Sequence, residues 1–499
     1  MSKMETDSES AKSVQADDQS SSDSSMIVNT NSILEKIANL YAEQLMSDIV
    51  LVVGGIEYPA HRVILCASSE VFQVMLMNPE WNECRKRIIE LYEEPFCAAV
   101  FPQFLKYLYV GQLKATLQSV MPVLALADKY NVKDLVGLSV NFMLSHTAMA
   151  AAQGYLVSWL QYALTFSPYH KDLTETLKNF LKWNLEMVSE SKDFVELDTQ
   201  IMILLLQQND IIVTSEISLF GILQKWLLHR KEMLDNEESL QKEEKEVILK
   251  QLIETTVMHI RFAMMTPREL AHLLLYPILA YHKEFIVQRM AIGMSYHSGQ
   301  EDRVNEIRKS KSGSLQFTPR LYSNDLWSVS FDIKDYYHIP DYTNYVACFF
   351  SQRNLAERED DQSVTWDIEF FPRGVKYNKA KMVWGEDLPE FSLRTVRIRV
   401  TCKENCLGEE RFKVAVLISG MQHDIIHILT VAEKTEYFSD KSRVLNLDNL
   451  LPYEDTPKSD PKKEIPHLIG PSKNNLSLQV IIAPMGPYTS RESPPFDLK

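Results

Sequence analysis

The sequence predicts a multidomain α+β protein, with a mixed α/β domain first, an all-helical domain next and a β-sandwich at the C-terminal end. Its 499 residues exceed what one hydrophobic core normally organises, so several domains are expected. The spacing of apolar residues changes along the chain from mixed, to helical, to alternating. Polar stretches fall where the spacing changes. A hydrophobic fraction of 45% against 24% charged residues matches ordinary globular domains, so most of the length can be buried in cores.

Residues 1–30 are rich in Ser, Asp and Glu and read as a disordered tail, which places the first domain at 31–145. Ser32-Ile33-Leu34-Glu35 has the form of a capping box, in which the Ser and Glu side chains each satisfy a free backbone donor, so a helix is predicted to start there. Its apolar residues Ile33, Leu34, Ile37, Leu40, Tyr41 and Leu45 recur at helical spacing and form a stripe that needs a burial partner. Asp48 to Val53 is a short β-branched run stopped by Gly54-Gly55, and Ile56 to Ala60 returns, which predicts a hairpin. A helical pattern runs from His61 to Met77, a third strand from Arg87 to Leu91, and two further helices cover Phe96–Tyr109 and Leu117–Tyr130.

The second domain, 146–295, shows one helical period after another from Leu156 to Gly293. Turn signals lie at Ser167-Pro168, Asp210, Asp235-Asn236 and Thr266-Pro267. Its charged stretch Glu237 to Lys250 reads as a solvated helix face. The polar run Arg308 to Ser314 suits a flexible connection, so 296–314 is predicted to be a linker. The alternating segments Trp327–Phe331, Trp366–Phe370, Val396–Val400, Lys413–Leu417 and Leu478–Ile482 predict a β-sandwich over 315–486. Residues 487–499 read as a second disordered tail.

Several function classes are disfavoured. A formal net charge of −15 repels polyphosphate and anionic lipid, so neither nucleic acid nor membrane is an expected partner. The N-terminal stretch lacks the basic start and apolar middle of a signal peptide. No stretch of about 18 apolar residues follows, and the expected location is cytoplasmic. Six cysteines are too sparse for a disulfide framework. Among the 15 glycines, only Gly54 and Gly55 lie within five residues of each other, which excludes dinucleotide turns, phosphate loops and nucleophile elbows.

No cofactor and no metal are expected. Cys402 and Cys406 lack a completing pair. His423 and His427 sit in a segment that reads as strand, which separates them by roughly 13 Å, and they are expected to be surface histidines. Of Trp327, Trp366 and Trp384, the expectation is core filling rather than a recognition groove, and the acidic loop Glu357 to Asp361 is expected to be solvated. No clustered titratable residues suggest a catalytic site, so the chain is expected not to be an enzyme.

Four motifs in order resemble the BTB fold: Ser47-Asp48-Ile49; His61 to Leu65 with Ser68-Ser69-Glu70-Val71-Phe72; Tyr107-Leu108-Tyr109-Val110-Gly111; and Ala127-Asp128-Lys129-Tyr130. The helical region resembles a BACK domain at Asp193 to Leu197, Gln207 to Asp210, Ser215-Glu216, Trp226 and Ile260-Arg261-Phe262. Trp327 and Trp366 to Gly374 resemble the MATH, or TRAF-like, sandwich.

The resemblance implies a homodimeric adaptor that holds cullin-3 through its BTB domain and a protein target through its sandwich. In such proteins an N-terminal helix packs across a twofold axis, which assigns Ile33, Leu34, Ile37, Leu40, Tyr41 and Leu45 to the interface, with Asp48 and Arg62 as a nearby charged pair. The family's cullin contact is an apolar residue, any residue and an acidic one; the aligned residues are Met75, Leu76 and Met77, so the acidic position holds methionine. Glu80 or Glu83 stands near enough in sequence to supply a carboxylate, and Tyr130 and Asn131 fall at the second contact patch. His61 falls where the family has a structural histidine. A dimeric scaffold that binds no cullin is the alternative that Met77 permits.

Overall fold

The computed structural model describes residues 29–165, 170–353, 356, 363–377, 391–403, 410–453 and 465–486. Both predicted tails apart from residues 29 and 30, the turn Ser167-Pro168, Trp384, Cys406 and the loop Glu357 to Asp361 lie outside them. The chain divides into two units, one of residues up to 114 with 125–132, the other of 115–124 with 133 onward.

In the first unit, helix α1 (Thr30–Glu43) precedes strands β1 (Ile49–Val53) and β2 (Ile56–Ala60), helices α2 (Arg62–Ser68) and α3 (Glu70–Met77), strand β3 (Ile88–Leu91) and helix α4 (Pro95–Val110). Gly54 and Gly55 both have positive φ, as the hairpin turn between β1 and β2 requires. β3 lies parallel to β1, giving the order β2-β1-β3. Ile49, Leu51 and Val53 are buried on one face of the sheet, and Phe101 and Phe104 of α4 are buried too.

One local reading is corrected and another refined. α1 begins at Thr30 rather than at Ser32; Asn29 occupies the N-cap without a side-chain bond, so the Ser32–Glu35 capping box does not form. The helical pattern from His61 to Met77 is realised as two helices, broken at Ser69. That hydroxyl accepts the Phe72 N–H at 3.1 Å and donates to the Tyr130 carbonyl, capping the start of α3.

Helix α5 (Val120–Lys129) is followed in the second unit by α6 (Lys133–Ser145), α7 (Thr147–Gln153), α8 (Leu156–Thr165), α9 (Lys171–Trp183), α10 (Leu185–Ser189), α11 (Thr199–Leu206), α12 (Glu216–Asn236) and α13 (Lys242–Val257). Then come α14 (Pro267–His272), α15 (Leu279–His297), α16 (Glu301–Arg308) and α17 (Lys311–Leu315). Thr266 caps α14 in a capping box with Glu269, so the Thr266-Pro267 signal marks a true helix start. The helices enclose a core that includes Trp159 and Trp226, both buried. The predicted linker is not one. α15 runs to His297, α16 and α17 fill the rest, Ser310 caps α17 by accepting the Gly313 N–H at 3.0 Å, and the Arg308 guanidinium lies 4.7 Å from the centre of the Phe317 ring.

The segment after α17 packs on the helical domain before the first sandwich strand. Strand β5 (Leu321–Tyr322) pairs in parallel with β4 (Ile212–Val213). Arg320 and Glu216, both fully buried, form an ion pair at 3.1 Å. Tyr322 donates its hydroxyl to Glu216 at 2.8 Å. Arg320 and Arg261 also donate to the Gln208 carbonyl just past the end of α11, and Arg320 to that of Leu206, so two guanidinium groups terminate this helix.

The sandwich is antiparallel throughout its two main sheets. One has the order β14-β11-β8-β7, from β7 (Tyr345–Gln352), β8 (Ser363–Phe371), β11 (Arg397–Cys402) and β14 (Val444–Leu447). The other has the order β13-β12-β15-β6, from β6 (Ser328–Ile333), β12 (Glu410–Gln422), β13 (Ile425–Phe438) and β15 (Leu476–Pro484). A small pair, β9 (Val375–Tyr377) with β10 (Phe391–Leu393), stands apart. Trp366 is the core tryptophan expected, with the rings of Phe412 and Phe438 edge-on at 4.8 and 5.0 Å. Trp327 is half-buried and packs against the helical core as well as near the sandwich strands.

The β12–β13 hairpin docks on the helices. Gln422 accepts the Ala148 N–H at 2.7 Å and donates to the Leu144 carbonyl at 3.0 Å, while Asn184 exchanges two bonds with the Ile428 backbone. The histidines expected at the surface take part: exposed His423 stacks on His146 at 4.3 Å, and His427 is buried against Phe180, with burial lowering its pKa.

Candidate interaction surfaces

The apolar stripe of α1 divides in two. Ile37, Leu40 and Tyr41 are half-buried within their own unit; Tyr41 donates its hydroxyl to the Pro102 carbonyl at 3.1 Å and lies 5.3 Å from the Tyr109 ring. Ile33, Leu34 and Leu45 are exposed, joined by Met46, which sequence reading did not single out. Ile33 exposes 57% of its surface and Met46 89%. An amphipathic helix that covers one side of its stripe and leaves the other bare presents a face for a partner.

Beside it, Asp48 accepts the backbone N–H of Arg62 at 2.9 Å, and the Arg62 guanidinium goes to the carbonyl oxygens of Leu76 and Lys86. The pair is therefore linked through the main chain, with Asp48 exposed. His61 acts as the structural residue expected. Its Nε2 lies 2.6 Å from the Leu45 carbonyl, an acceptor, so the proton sits on Nε2, and Nδ1 accepts from the Tyr109 hydroxyl at 2.9 Å. Burial pushes the Tyr109 phenol up to about 12. Cys66 has its pKa raised by burial, which makes a nucleophilic role unfavourable.

The second surface is the end of α3. Met77 is 62% exposed, Val74 is also exposed and Met75 half-buried, whereas Leu76 points into the core. Trp81 is exposed just beyond, as is Glu80, whose backbone N–H is held by Asn78 at 3.0 Å. Val74 lies within the helical pattern and Trp81 beyond it, and neither belongs to a motif of the BTB resemblance. Of the second patch, Tyr130 is only 3% exposed, stacked on Phe72 at 4.5 Å and bonded to Glu93. Burial and that carboxylate hold its phenol well above the ordinary range. Leu76 and Tyr130 thus offer no surface. Asn131 does, in a left-handed conformation with its amide donating to Glu70 at 2.5 Å.

Among the described residues, no group of three or more His, Cys, Asp or Glu side chains is arranged to hold a metal ion. Cys402 is buried in the sandwich core. No single described helix is long and apolar enough to cross a membrane.

Comparison with known proteins agrees with this architecture. The chain matches the family model described as BTB/POZ domain over residues 37–147, the one described as BTB And C-terminal Kelch, or BACK, over 156–275, and the one described as BTBD17 TRAF domain over 317–486. It is 25% identical over 373 residues to BTB/POZ domain-containing protein 17 of Xenopus tropicalis, covering 72% of this chain and 69% of that protein. The corresponding Homo sapiens protein is 26% identical, over 70% of this chain and 67% of its own length. Against the Xenopus laevis protein the alignment reaches 61% of the relative, so the chain spans about two thirds of the length of these proteins. Kelch-like protein 24 of Homo sapiens is 26% identical over 197 residues, which is 39% of this chain.

Proposed function

We propose, from the premise that the chain is a BTB–BACK protein with a C-terminal TRAF domain, that it is a dimeric adaptor carrying a protein target to a cullin-3 ubiquitin ligase. It would dimerise through α1, hold the cullin at the end of α3, and present the target on the sandwich. The observation that carries this reading is the bare apolar patch of Val74 and Met77 with Trp81 beside it, on the helix end that the BTB resemblance assigns to the cullin. Exposed large apolar residues clustered in this way suit a protein interface. The similarity to Kelch-like protein 24, over 39% of this chain, supports the same role.

A second reading, a dimeric scaffold without a cullin, is favoured by one residue: Met77 stands where the family has an acid. The test is co-purification of the full chain with the cullin-3 N-terminal domain, alongside Met75→Asp and Met77→Glu. The adaptor reading expects a complex that Met75→Asp abolishes and Met77→Glu tightens. A folded dimer that retains no cullin in the wild type or in Met77→Glu overturns it in favour of the scaffold.

A further inference from the structure

A cleft of about 550 Å³ opens within the second unit between α11, the C-terminal half of α12 and α13. Its walls include Ile203, Leu234, Leu240, Ile248 and Leu252, and Arg230 is the one cation among its lining residues. The size lies within the range of small-molecule sites. The lining acid, Glu237, accepts the Ser239 hydroxyl at 2.9 Å.

Arg230 is positioned but not saturated. One terminal nitrogen donates to the Leu197 carbonyl at 2.7 Å, and the guanidinium lies 5.1 Å from the centre of the Trp226 ring, which fixes its plane. Its Nε–H is buried and has no acceptor. A planar guanidinium that lines a cleft is matched by the two oxygens of a carboxylate. The apolar walls suit a hydrocarbon body. A dianionic head would bring more charge than one guanidinium balances in an apolar cleft.

We propose that this cleft binds an amphipathic monocarboxylate, with the carboxylate on Arg230 and an apolar tail along Ile203, Leu234 and Leu252. This goes beyond the adaptor reading and does not depend on it. The test is calorimetric titration of the full chain with dodecanoate and with dodecanol, each below its aggregation limit.

The expected result is one dodecanoate site per chain, with dodecanol at least tenfold weaker. Arg230→Leu should bring the two probes to similar affinity. Ile248→Glu, at a partly exposed position on the cleft, should weaken dodecanoate at least tenfold with the thermal midpoint unchanged, which separates lost binding from lost folding. Equal affinity of the wild type for the two probes, no dodecanoate uptake, or uptake indifferent to Ile248→Glu overturns the proposal.

Discussion

Glu216 has both carboxylate oxygens committed: one accepts the Arg261 backbone N–H at 2.8 Å, the other the Arg320 Nε–H at 3.1 Å and the Tyr322 hydroxyl at 2.8 Å. Arg320 in turn serves the carbonyl oxygens of Leu206, Gln208 and His259. Removing it leaves a fully buried carboxylate without its cation. Arg320→Met is therefore expected to destabilise the second unit by about 3–5 kcal/mol, read as a lower urea midpoint. Close by, burial and then Arg320, Arg289 and Arg261 lower the His259 pKa to about 4. Between that value and the ordinary histidine range the unfolded chain binds the proton and the folded one does not. Stability from this group is thus present above about pH 6.5 and lost as pH falls toward 4. His259→Gln should flatten the fall in thermal midpoint over that window; an unchanged slope rejects the assignment. Ser215-Glu216 and Ile260-Arg261-Phe262 were legible as family pattern, but their partner Arg320 was not, because it is 104 residues from Glu216 in a stretch that reads as the start of the sandwich.

Elements whose register is set by local chemistry were the ones the sequence revealed. The Gly54-Gly55 hairpin, Thr266-Pro267 and the alternating strands β6, β8, β11, β12 and β15 stand where periodicity and turn residues put them. The candidate surfaces were legible as sequence patterns, but which members face outward was not: Leu76 on α3 and Tyr130, which stacks on Phe72, are core residues. The same reasoning gives two expectations. Ile33→Asp combined with Leu34→Asp places two charges on the bare half of the α1 stripe, and light scattering should then show a monomer of unchanged helicity. A dimer that survives the double substitution is not built on α1. In β12, the register shifts between Ile418 and Ser419, and a Cβ added at Gly420 would lie 2.7 Å from the Pro466 carbonyl oxygen and 2.9 Å from Leu429. Gly420→Ala is accordingly expected to cost about 1–3 kcal/mol in chemical denaturation, as overpacking does. A neutral result means that the 466 segment does not press on the strand.

Across the second unit, the helical and sandwich parts are held by three separate features: the β4–β5 pairing, the Glu216–Arg320 pair that ties the segment before β6 to α12, and the docked β12–β13 hairpin. Apolar contact adds to these, since Ile212 and Leu321 share a buried cluster with Ala415, Leu417 and Ile481. The polar composition of 308–314 suggested a flexible joint because a seven-residue window shows charge and glycine but not the capping of α17 or the cover that Phe317 receives. Relative motion of domains is the default only where little is buried between them. A target held on the sandwich would therefore keep a fixed position relative to the BACK helices. Two outcomes are expected. In calorimetry, the BACK and sandwich portions of the full chain should unfold in one transition, and a chain ending at residue 314 should lose the helical transition along with the sandwich, because Arg320 and β5 are gone. Limited proteolysis should leave 296–314 uncut under native conditions. Early cleavage there, with both portions melting separately, would mean that the joint is loose and the target position variable.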